Sequence, residues 1–110
     1  MKYSLILDTT NTKQIMVGLT RGDIKLSKLI QSQTVGSQVL LPMIDTILKK
    51  YKLKITDIGS IQVNPGPGSF TGTRVGVSVA NALGCALNIP VNGKREKIVQ
   101  PIYDKSKFDY

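Results

Sequence analysis

Residues Asn64 to Gly76 read NPGPGSFTGTRVG, and the fold turns on what this stretch is. Four glycines, two prolines, one serine and two threonines lead from the extended run DIGSIQV into an apolar segment, Thr71 to Asn88, whose spacing predicts a helix. A strand, loop and helix in this order leave free amides at the helix start, and such amides can hold an anion. A Walker A loop is excluded, because no Gly-Lys pair follows Gly66 or Gly68 in the register that brings a lysine to the phosphates. A dinucleotide fingerprint is excluded as well: Gly72 falls one residue late after Gly66 and Gly68, and the acidic residue expected about twenty positions on is missing. Two readings stay open. Pro65 and Pro67 stiffen a turn whose glycines take positive φ, or Gly66, Gly68, Ser69 and Thr71 form an anion-binding loop.

Within the helix that follows, Gly72, Gly76, Ala80 and Gly84 recur every fourth residue as one ridge of small side chains. A glycine inside a helix costs about 0.5–1 kcal/mol relative to alanine, so the ridge implies close approach of another backbone. Val75, Val79, Ala82, Leu83 and Ala86 lie opposite and are expected to supply the core face. The ridge then packs on the chain's own first helix or sheet, or seats a helix of a partner.

Upstream, YSLILD is a near-continuous apolar run that suits a strand buried on both faces. QIMVGLT and IKLSKLIQS read as two further strands joined by a tight turn at RGD. In the second, Ile24 and Leu26 alternate with Lys25 and Ser27, so one face is expected to meet solvent. From about Gly36 the period becomes helical, with Leu40, Ile44, Ile47, Leu48 and Tyr51 as the stripe, Ser37 as N-cap and Pro42 early enough to be tolerated. Val39 and Met43 widen that stripe and suggest a second contact surface. After the second helix, IPV reads as a short strand, giving the order β-β-β-α-β-α-β. We divide the chain into a lobe, 1–92, and a basic tail, 93–110, which is either a flexible end or an added edge strand centred on Ile98 to Tyr103.

The chain has 110 residues, of which 41% are hydrophobic, and carries a formal charge of +8. That size allows one core, and no apolar run is long enough to span a bilayer. Only three consecutive aliphatics precede Asp8, too few for a signal peptide, so a cytoplasmic location is expected. The charge favours an acidic partner such as RNA without naming one. Much of it sits in KKYKLK (49–54), which ends a predicted helix where cations complement the dipole, and in GKREK (93–97). None of the six aromatics (four Tyr, two Phe) is interleaved with basic residues as in an RNA-recognition sheet.

Little catalytic chemistry is available. Asp8 ends the first strand beside Thr9 and Thr10 but has no carboxylate partner with which to build a two-metal site, and an Asx-type turn is its expected role. Ser69 has no histidine in the chain to activate it. Cys85, the lone cysteine, reads as a buried thiol inside a helix, and with no histidine a zinc site is not expected. No metal or cofactor is therefore expected.

LILDTTN, SQVLLPMIDTIL, NPGPGSFTGTRVGVSVANALG and IPV together resemble the TsaB (YeaZ) family of tRNA threonylcarbamoyladenosine biosynthesis proteins, in matching order over roughly Tyr3 to Val91. GPGSFTGTRVG is the most specific part. The resemblance implies an α/β, actin-like ATPase (ribonuclease H-like) lobe, a mixed sheet with helices packed on it. It implies a non-catalytic subunit that docks through helices onto the catalytic subunit TsaD. With the ATPase TsaE, that complex transfers threonylcarbamoyl to N6 of adenosine 37 in tRNA. The glycine-rich stretch then aims a docking helix rather than holding phosphate. Carried onto this chain, the expected docking residues are Val39, Met43 and Ile47 on the first helix, and Arg74 with the Gly72, Gly76, Ala80 and Gly84 ridge on the second. Gly76→Leu is expected to abolish docking and leave the domain folded.

The resemblance has two departures. Family members usually carry a second lobe after the IPV strand, whereas here only VQPIYDKS resembles their terminal segment, so a shortened form with the N-terminal lobe alone is expected. A histidine common in the family before the first helix falls on or near Gly36 here. Rival readings are a self-associating homodimeric lobe, a small anion- or nucleotide-binding domain using Asp8 and the loop amides, and a basic tRNA-binding module.

Overall fold

The computed structural model describes residues 3–11, 13–32, 39–68, 70–93, 99–100 and 102, with the backbone alone for Phe70 and Thr71. The elements are β1 (Tyr3–Asp8), β2 (Gln14–Arg21), β3 (Ile24–Ser32), α1 (Leu40–Lys50), β4 (Ile58–Val63) and α2 (Phe70–Leu87). The strands form one sheet in the order β3-β2-β1-β4. β1 runs antiparallel to β2 and parallel to β4, and β2 runs antiparallel to β3. This is the mixed α/β sheet of a single actin-like lobe.

Alternation along the strands sets the core. Leu5 and Leu7 of β1 face the same way as Val17 and Leu19 of β2 and Ile61 and Val63 of β4, all of them buried. Each such aliphatic contributes about 1.5–3 kcal/mol by leaving water. α1 lays its stripe of Leu40, Met43, Ile44, Ile47 and Leu48 over β2 and β3, and α2 lies over β4 and β1 on the same core. YSLILD was expected to be buried on both faces, but Ile6, on the opposite face, is only half-buried, because both helices cover the same side.

The α1 stripe agrees with the periodicity, and Tyr51 closes it by donating its hydroxyl to the Leu26 carbonyl at 2.5 Å. Lys52, at φ 56, then ends the helix, and Leu53 N–H returns to the Leu48 carbonyl. The expected cap at Ser37 and the region of Gly36 lie outside the described residues.

Two expectations change. The last strand is reduced to one parallel bridge, Ile61 to Val91. Beyond it the side-chain amide of Asn92 takes the edge of β4, accepting from Val63 N–H at 2.7 Å and donating to Val63 O at 2.9 Å. In β3 the register shifts opposite Leu19 and Thr20, so that Ser27 pairs with Leu19 and Lys25 with Thr20. Leu26 is the extra residue of a bulge, and simple alternation fails there.

Of the tail, only Gly93, Val99, Gln100 and Ile102 are described, and none lies in a strand. Val99 is buried and held by Asn81, which accepts from its N–H and donates to its carbonyl. No helix among the described residues is long and apolar enough to cross a membrane.

Candidate functional site

The carboxyl ends of the parallel pair β1 and β4 meet the amino end of α2, the place where open α/β sheets gather ligands. Asp8, Thr9 and Thr10 leave β1 there, and Asn64 extends β4 by donating its N–H to the Leu7 carbonyl at 2.9 Å. Asp8 Oδ1 accepts from the Thr10 amide at 3.0 Å and the Thr10 hydroxyl at 2.7 Å, while Oδ2 accepts from Asn64 Nδ2 at 3.2 Å. Partial burial pushes this carboxyl up. The Thr10 and Asn64 hydrogen bonds outweigh that effect and hold it below the ordinary value of 3.8. Asp8 thus forms the Asx-type turn that its surroundings suggested. No group of three metal-ligating side chains occurs among the described residues.

The glycines of the loop are filled by the chain itself. Gly66 has φ 108, and a side chain there would run into the Ile102 carbonyl, while Ile102 N–H donates to the Pro65 carbonyl beside it. At Gly68 a Cβ would lie 2.6 Å from Thr10 Cβ and 2.7 Å from Thr10 O. Of the proposed anion-binding set, Gly66 and Gly68 therefore press against the protein's own backbone. Ser69 and the Thr71 side chain lie outside the described residues.

The small-residue ridge turns inward. Gly72, Gly76, Ala80 and Gly84 are all buried. Thr9, fully buried, donates its hydroxyl to the Gly72 carbonyl at 2.5 Å, and a side chain at Gly76 would strike that hydroxyl. At Gly84 it would strike Val91. The ridge thus seats α2 on the ends of β1 and on the Val91 bridge, and its four residues are not available to a partner. The expected core face is reversed: Val75, Val79 and Leu83 are half-buried, and Ala82 and Ala86 are exposed.

On α1, Met43 and Ile47 are 3% and 0% exposed and belong to the core, so they too are withdrawn as contact residues. Val39 is half-buried and Arg74 is exposed. The outward surface instead carries Leu41, Pro42, Asp45, Thr46, Lys49 and Lys50 on α1, and Arg74, Ser78, Ala82, Cys85 and Ala86 on α2. Leu41 was missed because it stands outside the core stripe; an aliphatic 57% exposed on a helix is the signal that finds it. Cys85 is exposed, not the buried thiol expected.

A family model described as tRNA N6-adenosine threonylcarbamoyltransferase (TsaD) matches residues 32–93, more than half of the chain. Curated relatives carry the name tRNA threonylcarbamoyladenosine biosynthesis protein TsaB. The Haemophilus influenzae protein is 35% identical over 79% of this chain and 36% of its own length. The Bacillus subtilis protein is 29% identical over 91% of this chain and 49% of its own. Among solved structures, YeaZ from Pseudomonas aeruginosa superposes with a TM-score of 0.74 at 30% identity, covering 83% of this chain and 42% of that one. The chain spans half or less of the length of these relatives.

Proposed function

The chain belongs to the TsaB/YeaZ family of the threonylcarbamoyltransferase group, and from that membership we propose that it is a non-catalytic subunit which binds a TsaD-like partner in tRNA threonylcarbamoyladenosine biosynthesis. The observation that carries this reading is the fate of the glycine-rich loop. Its described glycines and the Asp8 carboxylate are occupied by Thr10, Asn64 and Ile102 of the same chain, an arrangement that fixes where α2 begins.

Docking is assigned to the outward faces of α1 and α2. Ser78, Ala82, Cys85 and Ala86 give α2 a low relief on which a partner helix can lie closely, while Leu41 supplies an apolar knob and Arg74 a charged edge. The corrected contact set therefore replaces the buried ridge with its opposite side. A TsaE-like ATPase would meet this chain only through the complex, and tRNA would be drawn by the basic surface.

Mixing the protein with the TsaD-like subunit and measuring mass by light scattering tests the reading. A stable 1:1 complex is expected, lost on Ala82→Arg, an exposed position where the change leaves the fold intact. A homodimer that ignores the TsaD-like subunit would overturn it in favour of self-association. Tight nucleotide binding by the isolated chain would overturn the non-catalytic part.

A further inference from the structure

Among the described residues no helix covers the face of the sheet opposite α1 and α2. That face presents Ser4, Ile6 and Asp8 from β1, Met16, Gly18 and Thr20 from β2, Lys25, Lys28 and Ile30 from β3, and Ser60 and Gln62 from β4. Ile30 is 54% exposed, and Ile6 and Met16 are half-buried. The lowest point is Gly18, where a Cβ would lie 3.4 Å from Ile6 Cβ and 3.7 Å from Met16 Sδ. With no side chain there, a groove of about 450 Å³ runs between β1 and β3, lined by Ile6, Met16, Gly18, Thr20, Lys25 and Lys28 among others.

The bulge at Leu26 decides the charge of this groove. Lys25 and Lys28 are three residues apart, so in a regular strand they would point to opposite faces. The bulge pairs them with Thr20 and Gly18, and both stand on the open face along one side of the groove. On the other side Ser4 and Ser60 share a hydrogen bond, Gln62 is exposed, and the Asp8 carboxylate at the end of β1 is taken up by Thr10 and Asn64. Among the described residues no carboxylate lines the groove itself. As described, the face is thus apolar in the middle and cationic toward β3, with the Asp8 carboxylate at the far end of β1. No aromatic ring among the described residues lines the groove to give a platform on which a nucleic-acid base would stack.

We propose that this face docks an amphipathic helix of a partner protein, with an apolar stripe laid in the Gly18 groove and acidic residues along the flank that meets Lys25 and Lys28. Charge complementarity on one flank only fixes the direction in which the helix lies. The face is distinct from the outward surfaces of α1 and α2, so both can be occupied together, and the proposal stands whether or not the docking of a TsaD-like subunit does.

The test uses the whole chain and a labelled helical peptide of about twenty residues, with leucines at helical spacing and glutamates along one flank, read by fluorescence anisotropy. Saturable binding is expected, weakened about tenfold or more by Lys25→Glu with Lys28→Glu, with both changes at exposed positions. A peptide carrying lysines in place of the glutamates should bind the double variant and not the original chain. Gly18→Val should fill the groove and reduce binding to either peptide. Absence of saturation, equal affinity for both peptides, or an unchanged affinity in the double variant overturns the proposal. Displacement of the peptide by tRNA, with tRNA binding itself lost in the double variant, would assign the face to RNA and overturn it also.

Discussion

At the scale of single residues, Gly76 separates two kinds of argument. Helix propensity alone says that Gly76→Ala should stabilise the protein by about 0.5–1 kcal/mol. Packing says the opposite, because the new methyl meets Thr9, whose hydroxyl is fixed on the Gly72 carbonyl. Overpacking of this kind costs about 1–3 kcal/mol, so urea denaturation should show Gly76→Ala destabilised, and Gly76→Leu should fail to fold rather than merely fail to dock. A rise in stability would mean that α2 does not rest on Thr9. Thr73 offers the reverse case: its buried hydroxyl has no hydrogen-bond partner among the described residues. Thr73→Val removes a polar atom of that kind and should stabilise the fold by about 1 kcal/mol. Asp8 adds a dependence on pH. Its folded-state value lies below 3.8, so its ionised form contributes stability at neutral pH, and that contribution is lost as the pH falls below the ordinary value toward the folded one. Asp8→Asn places an amide where Asn64 Nδ2 donates, and should lower stability near pH 7 while the two proteins converge in acid; parallel pH curves would refute the assignment.

At the scale of elements, the strands and α1 were legible because their signals are local. The stripe of α1 needs only its own spacing, and β1 to β3 need only apolar runs and the turn at Gly22. What was not legible depends on contacts distant in sequence. Valines at helical spacing on α2 look like a core face, and nothing local reveals that Thr9, sixty-three residues before Gly72, takes the glycine side instead. The bulge at Leu26 leaves no mark in IKLSKLIQS, and the strand expected at IPV ends after its backbone bonds to Ile61, because the side chain of Asn92 takes the next place along β4, at Val63. Asn92 is therefore a testable device. It sits at φ 52 and makes two hydrogen bonds to Val63. Asn92→Ala loses both bonds and adds strain of about 1–2 kcal/mol, whereas Asn92→Gly loses the bonds alone. Alanine should be the more destabilising of the two, and hydrogen exchange at the Val63 amide should quicken in both. Equal effects would show that backbone conformation contributes nothing there.

At the scale of the molecule, the described helices cover one face of the sheet, and Ile30 on the other is 54% exposed, so apolar surface is left in water there. The stability of the chain should then respond strongly to any partner that binds the folded form alone. The linkage is fixed by mass action: a partner present at a hundred times its dissociation constant adds about 2.7 kcal/mol. For a domain near this size each kcal/mol moves the melting temperature by about 4–8 °C, so saturating TsaD-like subunit should raise the melting temperature by about 10–20 °C. Ala82→Arg should melt like the original protein when alone and show no rise when the subunit is added. Lys25→Glu with Lys28→Glu should keep the full rise, because those lysines lie on the other face of the sheet. If both variants lose the rise together, the two faces act as one surface, and the division between helix-side and sheet-side docking is wrong. If the Ala82→Arg chain alone melts far below the original, the outward side of α2 supports the fold itself, and the contact set must be moved to α1.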